Sequence, residues 1–106
     1  MIKRLCTLAT LLVMSYQSQA FNVSVPLTED AKVFAKYVED YPVVVNYFSQ
    51  ASEQEIIDFY TEQYGPAMET INEKQRTRVI FMYEDKVATI IISAQGNAQQ
   101  VDILIR

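Results

Sequence analysis

The C-terminal stretch RVIFMYEDKVATIIISAQGNAQQVDILIR, residues 78–106, decides the fold, because its side chains alternate with a period of two through three successive runs. Val79, Phe81 and Tyr83 alternate with Arg78, Ile80 and Met82. After a short polar turn at Glu84, Asp85 and Lys86, Ala88, Ile90 and Ile92 alternate with Val87, Thr89 and Ile91. A second turn over 94–98, centred on Gly96 and Asn97, leads to Val101, Ile103 and Ile105 alternating with Gln100, Asp102 and Leu104. Turns this short join antiparallel neighbours, so the stretch predicts a three-stranded meander.

Working upstream, the period changes from 2 to 3.6, and a helix is predicted over 53–64. Ser52 with Glu55 three residues on forms a capping box, and Glu53 and Glu55 suit the positive end of a helix dipole. Ile56, Phe59, Tyr60 and Tyr64, with Ile57 on the flank, make one apolar face, while Gln54, Asp58, Glu62 and Gln63 are left for water. Gly65 and Pro66 end it. A further short strand is expected over 68–71, joined to the meander by a turn over 72–75.

Before the helix, Val43, Val45 and Tyr47 oppose Val44, Asn46 and Phe48, which reads as a strand over 43–48. Residues 31–38 fit two templates: Ala31, Phe34, Ala35 and Val38 a helix face, Val33, Ala35 and Tyr37 a strand face. The β-branched residues and the turn-like Glu39-Asp40 favour a strand and a hairpin, against the helix-start character of Thr28, Glu29 and Asp30. The predicted fold is therefore α+β: a single antiparallel sheet of five to six strands, ββα followed by a β-meander, with one helix packed on one face.

Residues 1–20 carry the pattern of an export signal. Lys3 and Arg4 precede an apolar run over 5–16, and Gln17-Ser18-Gln19-Ala20 puts small residues at the two positions that signal peptidase reads. A membrane span needs about 20 apolar residues, so the run is too short for a retained anchor. Cleavage after Ala20 is expected, giving a periplasmic or secreted protein with no membrane attachment. The expected division is a signal peptide at 1–20, an N-terminal tail at 21–31, loosely held over 21–27, and one α+β domain at 32–106.

Composition narrows the chemistry. Cys6, the lone cysteine of the 106 residues, lies inside the signal, and histidine is absent. Thiol nucleophiles, Cys/His zinc sites and histidine bases are therefore excluded from the exported part. Its two glycines are both assigned to turns, so no phosphate cradle is available. No cofactor and no metal site is expected. Removing Lys3 and Arg4 from the nine basic residues leaves seven against thirteen acidic ones, 7 − 13 = −6. That balance argues against nucleic acid, and the small cluster Lys74, Arg76, Arg78 beside Glu73 reads as a solvated turn. Asn22-Val23-Ser24 fits the glycosylation pattern, a short pattern common by chance.

Two further groups compete for a function. Glu55, Asp58 and Glu62 lie at spacings of three and four on the helix, which is the minimum for a carboxylate-based hydrolase but more simply a solvated face. Tyr47, Phe59, Tyr60, Phe81 and Tyr83 would meet between helix and sheet, either as core or as the wall of a small-ligand pocket. The alternation itself provides the sharper hint. If Val43, Val45, Val79, Phe81, Ala88, Ile90, Ile92, Val101, Ile103 and Ile105 face the helix, then Val44, Phe48, Ile80, Met82, Val87, Ile91 and Leu104 face away. One 12-residue helix cannot cover both faces. The second face is expected to be covered by the N-terminal segment, by curling of the sheet, or by another protein or a second copy. The expected function is that of a small, exported, non-enzymatic protein that binds another protein or itself through its sheet.

Overall fold

A computed structural model describes residues 23–106. The signal expected at 1–20, with Cys6, and Phe21 and Asn22, with the asparagine of the glycosylation pattern, lie outside the described residues. The chain is α+β, with one helix and a six-stranded, wholly antiparallel sheet. The elements are β1 (Lys32–Tyr37), β2 (Val43–Ser49), α1 (Glu53–Tyr64), β3 (Glu69–Glu73), β4 (Arg76–Tyr83), β5 (Lys86–Gln95) and β6 (Ala98–Ile105). Residues 32–37 take the strand rather than the helix.

The spatial order is β1-β2-β6-β5-β4-β3. After β2 the chain crosses one face of the sheet as α1 and re-enters at the far edge as β3. The meander then walks back until β6 pairs with β2. Every step of that walk is a two-residue hairpin: Glu73 pairs with Arg76, Tyr83 with Lys86 and Gln95 with Ala98. The predicted turns were longer. The strands extend into them because Gln75 (φ 65), Glu84 (φ 58) and Gly96 (φ 62) take positive φ, which lets the chain reverse within two residues.

The helix is built as its residues dictate. Ser52 Oγ accepts from the Glu55 amide at 3.1 Å, and the Ser52 amide donates to Glu55 Oε1 at 2.9 Å. At the other end Gly65 stands at φ 90, ψ −172, and its amide donates to the Thr61 carbonyl at 2.8 Å. Ile56 and Tyr60 are buried completely, whereas Ile57, Phe59 and Tyr64 are packed against the core at its margin.

All ten strand positions assigned to the helix side are buried, and Tyr47 joins them. Burying a Val, Ile or Phe side chain contributes roughly 1.5–3 kcal/mol, so this layer is the main source of stability in a chain without disulfides among its described residues. Thr77 is buried beneath the start of α1 and donates to Glu53 Oε1 at 2.9 Å. Tyr83 departs from expectation. It occupies the last position of β4, at the margin of the helix–sheet layer, and is 41% exposed, its ring lying 5.1 Å from that of Tyr64 at the end of α1.

The N-terminal segment differs most from the expected loose tail. Val23, Val25, Leu27 and Ala31 pack against the core, and the Val23 amide donates to the Val38 carbonyl at 2.9 Å. Thr28, Glu29 and Asp30 do not open a helix. Asp30 instead accepts from Ser49 Oγ at 2.7 Å, the Gln50 amide at 2.7 Å and Thr28 Oγ1 at 3.2 Å, which fastens the segment to the end of β2.

Candidate functional site: the open face of the sheet

Because paired residues of an antiparallel sheet share a face, the registers map the side opposite α1 row by row. One row reads Tyr37, Val44, Leu104, Thr89, Ile80, Glu69 from β1 to β3. The next reads Ala35, Asn46, Asp102, Ile91, Arg78, Ile71. The third reads Lys32, Phe48, Gln100, Ser93, Arg76, Glu73. On the other flank of the first row Met82 pairs with Val87.

All seven face residues expected from the alternation therefore lie on one surface, and none is fully buried. Val44, Leu104 and Ile80 share the first row, Met82 and Val87 border it, Ile91 lies in the second, and Phe48 in the third. Two residues extend the surface beyond the expectation. Tyr37 continues the first row and is 48% exposed. Phe34 stacks on Phe48 with ring centroids 4.7 Å apart, because an irregularity between Val33 and Ala35 shifts the register of β1. Alternation over 43–105 was the signal for the first seven. Phe34 could not be found that way, since a bulge breaks the period.

Polar residues cross this face in an ordered strip. Asn46 Nδ2 donates to Asp102 Oδ1 at 2.7 Å, and Gln100 Nε2 donates to the two Asp102 oxygens at 3.0 and 3.2 Å. Toward the β3 edge, Glu73 Oε1 lies 3.3 Å from Arg78 Nη2 and 3.5 Å from Arg76 Nε. Lys74 is exposed in the adjoining turn.

The expectation that the N-terminal segment folds over this face is corrected by its placement on the helix side. There it lines a cleft of about 320 Å³ with Lys36, Val38 and Val45. Val45 and Lys36 pair in register on that side of the sheet. A second cleft, about 250 Å³, lies between Ser24, Pro26, Gln63, Tyr64 and Tyr83.

The residues expected for a ligand pocket wall neither cleft except at Tyr83. Tyr47, Tyr60 and Phe81 are buried completely, the Tyr47 and Tyr60 hydroxyls touch at 2.8 Å, and Phe59 meets Tyr60 edge-on at 4.9 Å. Burial pushes the Tyr60 hydroxyl well above its ordinary pKa, reinforced by Tyr47, and pushes Tyr64 up to about 12. Each buried side-chain polar atom among the described residues has a partner.

The helix carboxylates are likewise occupied locally. Glu55 closes the capping box, and its bonds from Ser52 hold its carboxyl below the usual range. Asp58 accepts from Gln54 Nε2 at 2.9 Å, and Glu62 is exposed. Among the described residues no three His, Cys, Asp or Glu side chains are grouped as metal ligands. Compared with protein-family models, with curated proteins and with solved structures, the chain matches none.

Proposed function

We propose that this is an exported, non-enzymatic binding protein whose contact surface is the open face of its sheet. The observation that carries this reading is the row Tyr37, Val44, Leu104, Thr89, Ile80 with Met82, Val87 and the Phe34–Phe48 stack beside it, left uncovered by any described part of the chain. A face meant only for water alternates more strictly to polar residues, and apolar surface of this extent marks contact sites. The fixed Asn46–Asp102–Gln100 strip supplies orientation within an otherwise apolar area, as polar groups do at protein interfaces.

The test compares the protein with its Leu104→Glu and Ile80→Glu variants. Both positions are half-buried on the open side, so the helix-side core is retained, as circular dichroism would verify. Light scattering and co-purification from the producing cells should report an association in the parent that both variants lose. An association that survives both substitutions would remove the open face from consideration.

A further inference from the structure

We infer that the cleft between the N-terminal segment and the β1–β2 pair binds a small aliphatic carboxylate, its tail against the valines and leucine of the walls and its head on Lys36. This site lies on the helix side of the sheet. It is separate from the open face, so neither reading rests on the other.

The walls of the cleft are apolar. Val23, Val25 and Leu27 stand on the N-terminal segment, Val38 follows β1 and Val45 sits on β2, with Ser24 and Lys36 as the polar residues of the lining. The segment that forms one wall is tied down at three points. The Val23 amide donates to the Val38 carbonyl at 2.9 Å, the Tyr60 hydroxyl donates to the Pro26 carbonyl at 2.9 Å, and Asp30 accepts from Ser49 Oγ and the Gln50 amide at 2.7 Å each. A wall held in this way spares a ligand the cost of ordering its own site. The volume of about 320 Å³ stands at the small end of the roughly 300–1,000 Å³ typical of small-molecule sites, which suits a tail of about six to ten carbons.

The charge comes from Lys36. Its pairing with Val45 sets it on the helix side of the sheet, where the registers place no acidic residue on any strand. Two lysines share that side. Lys86 lies over the Tyr41 ring, 4.3 Å from its centroid, whereas Lys36 has no ion pair, no side-chain hydrogen bond and no aromatic ring against it among the described residues. An ammonium group beside apolar walls is complementary to an anionic head on an apolar body. Lys36 and Ser24 supply one cation and one hydroxyl donor, enough for the two oxygens of a carboxylate and too few for a phosphate dianion.

NMR titration of the purified protein, following its backbone amides, tests this with sodium octanoate as the probe. Octanoate should shift the amides of Val23, Val25, Leu27 and Val38 with a dissociation constant below about 1 mM, and octylammonium should leave them in place. Hexanoate, two methylenes shorter, should bind about tenfold more weakly. Lys36→Met changes an exposed residue of an edge strand, so the fold is retained. That variant should bind octanoate at least about tenfold more weakly while its affinity for 1-octanol stays that of the parent.

No shift at about 10 mM octanoate would overturn the proposal. Equal shifts with octylammonium, or an octanoate affinity indifferent to Lys36→Met, would remove Lys36 as the head-binding group and overturn it as well. Shifts confined to Val44, Ile80 and Leu104 would place the probe on the open face and end this proposal without touching the reading of that face.

Discussion

The hydroxyls of Tyr47 and Tyr60 meet at 2.8 Å in the core, and the Tyr60 oxygen lies 2.9 Å from the Pro26 carbonyl. A phenol has one proton. Tyr60 spends it on Pro26, which accepts only, so Tyr47 is the donor to Tyr60. This chain of two bonds ties β2, α1 and the N-terminal segment together through a single point.

The direction of those bonds predicts an asymmetry. Tyr60→Phe leaves the Tyr47 hydroxyl and the Pro26 carbonyl without their partners and should cost about 2 kcal/mol, whereas Tyr47→Phe removes one bond and should cost about 1 kcal/mol. Guanidinium unfolding of both variants and of the double variant checks this. Equal single costs, or costs that simply add, would contradict the assigned direction.

Tyr60, with Tyr64 one turn on, sets the alkaline limit. Burial raises the Tyr60 hydroxyl above its ordinary value of 10.0 and carries Tyr64 up to about 12. A raised folded-state pKa means that stability is complete below the unfolded value and declines as pH climbs past about 10. Tyrosine absorbance titrated upward from pH 9 should show the Tyr60 phenol ionising only with unfolding, a component absent from Tyr60→Phe. In Tyr60→Phe the alkaline decline should be shallower.

At the acid end Asp30 is the group to follow. Bonds from Ser49 and the Gln50 amide, with a smaller contribution from Thr28, hold its carboxyl below 3.8. A depressed folded-state pKa stabilises at and above the unfolded value and is lost as pH falls from there through the folded one. Because Asp30 is exposed, solvent limits the effect, and Asp30→Asn should cost about 1 kcal/mol at neutral pH. Limited proteolysis should then cut residues 23–31 faster than in the parent. Unchanged cleavage would show that apolar packing alone holds the segment.

Gly65 isolates a backbone effect. A Cβ there would meet nothing within 4 Å, yet φ 90 with ψ −172 is open essentially to glycine alone. Gly65→Ala should therefore destabilise by about 1–3 kcal/mol without any steric clash. A thermal midpoint within error of the parent would mean that the helix end relaxes into another conformation at no cost.

Much of the fold was legible because its signals are local. Ser52, Glu55, Gly65 and Pro66 bracket the helix within their own neighbourhoods, and alternation sorted Val44, Ile80 and Leu104 from Val45, Val79 and Ile103 before any strand was placed. Hairpin ends were legible only approximately. Gln75 and Glu84 adopt positive φ without being glycine or asparagine, so the tight turns carried no residue signature. The candidate face was foreseen as a set but not as rows, since which residues lie side by side depends on β6 pairing with β2, a contact between residues far apart in the chain. Tyr37 joins the site through the pairing of β1 with β2 and Phe34 through the bulge between Val33 and Ala35, whereas Asn46, Asp102 and Gln100 already fell on this face by alternation and only the Asn46–Asp102 bond needed β2 beside β6.

Periodicity and capping chemistry were enough for the class of fold, the helix and the division of each strand into two faces, because a strand's side chains alternate whatever its neighbours are. Which face residues 23–31 cover, where Asp30 finds its partners and why the described residues leave one side of the sheet uncovered were decided by three-dimensional packing. A short helix and nine residues of preceding chain fill one side together, and their polar groups are satisfied only there, by Tyr60 and Ser49.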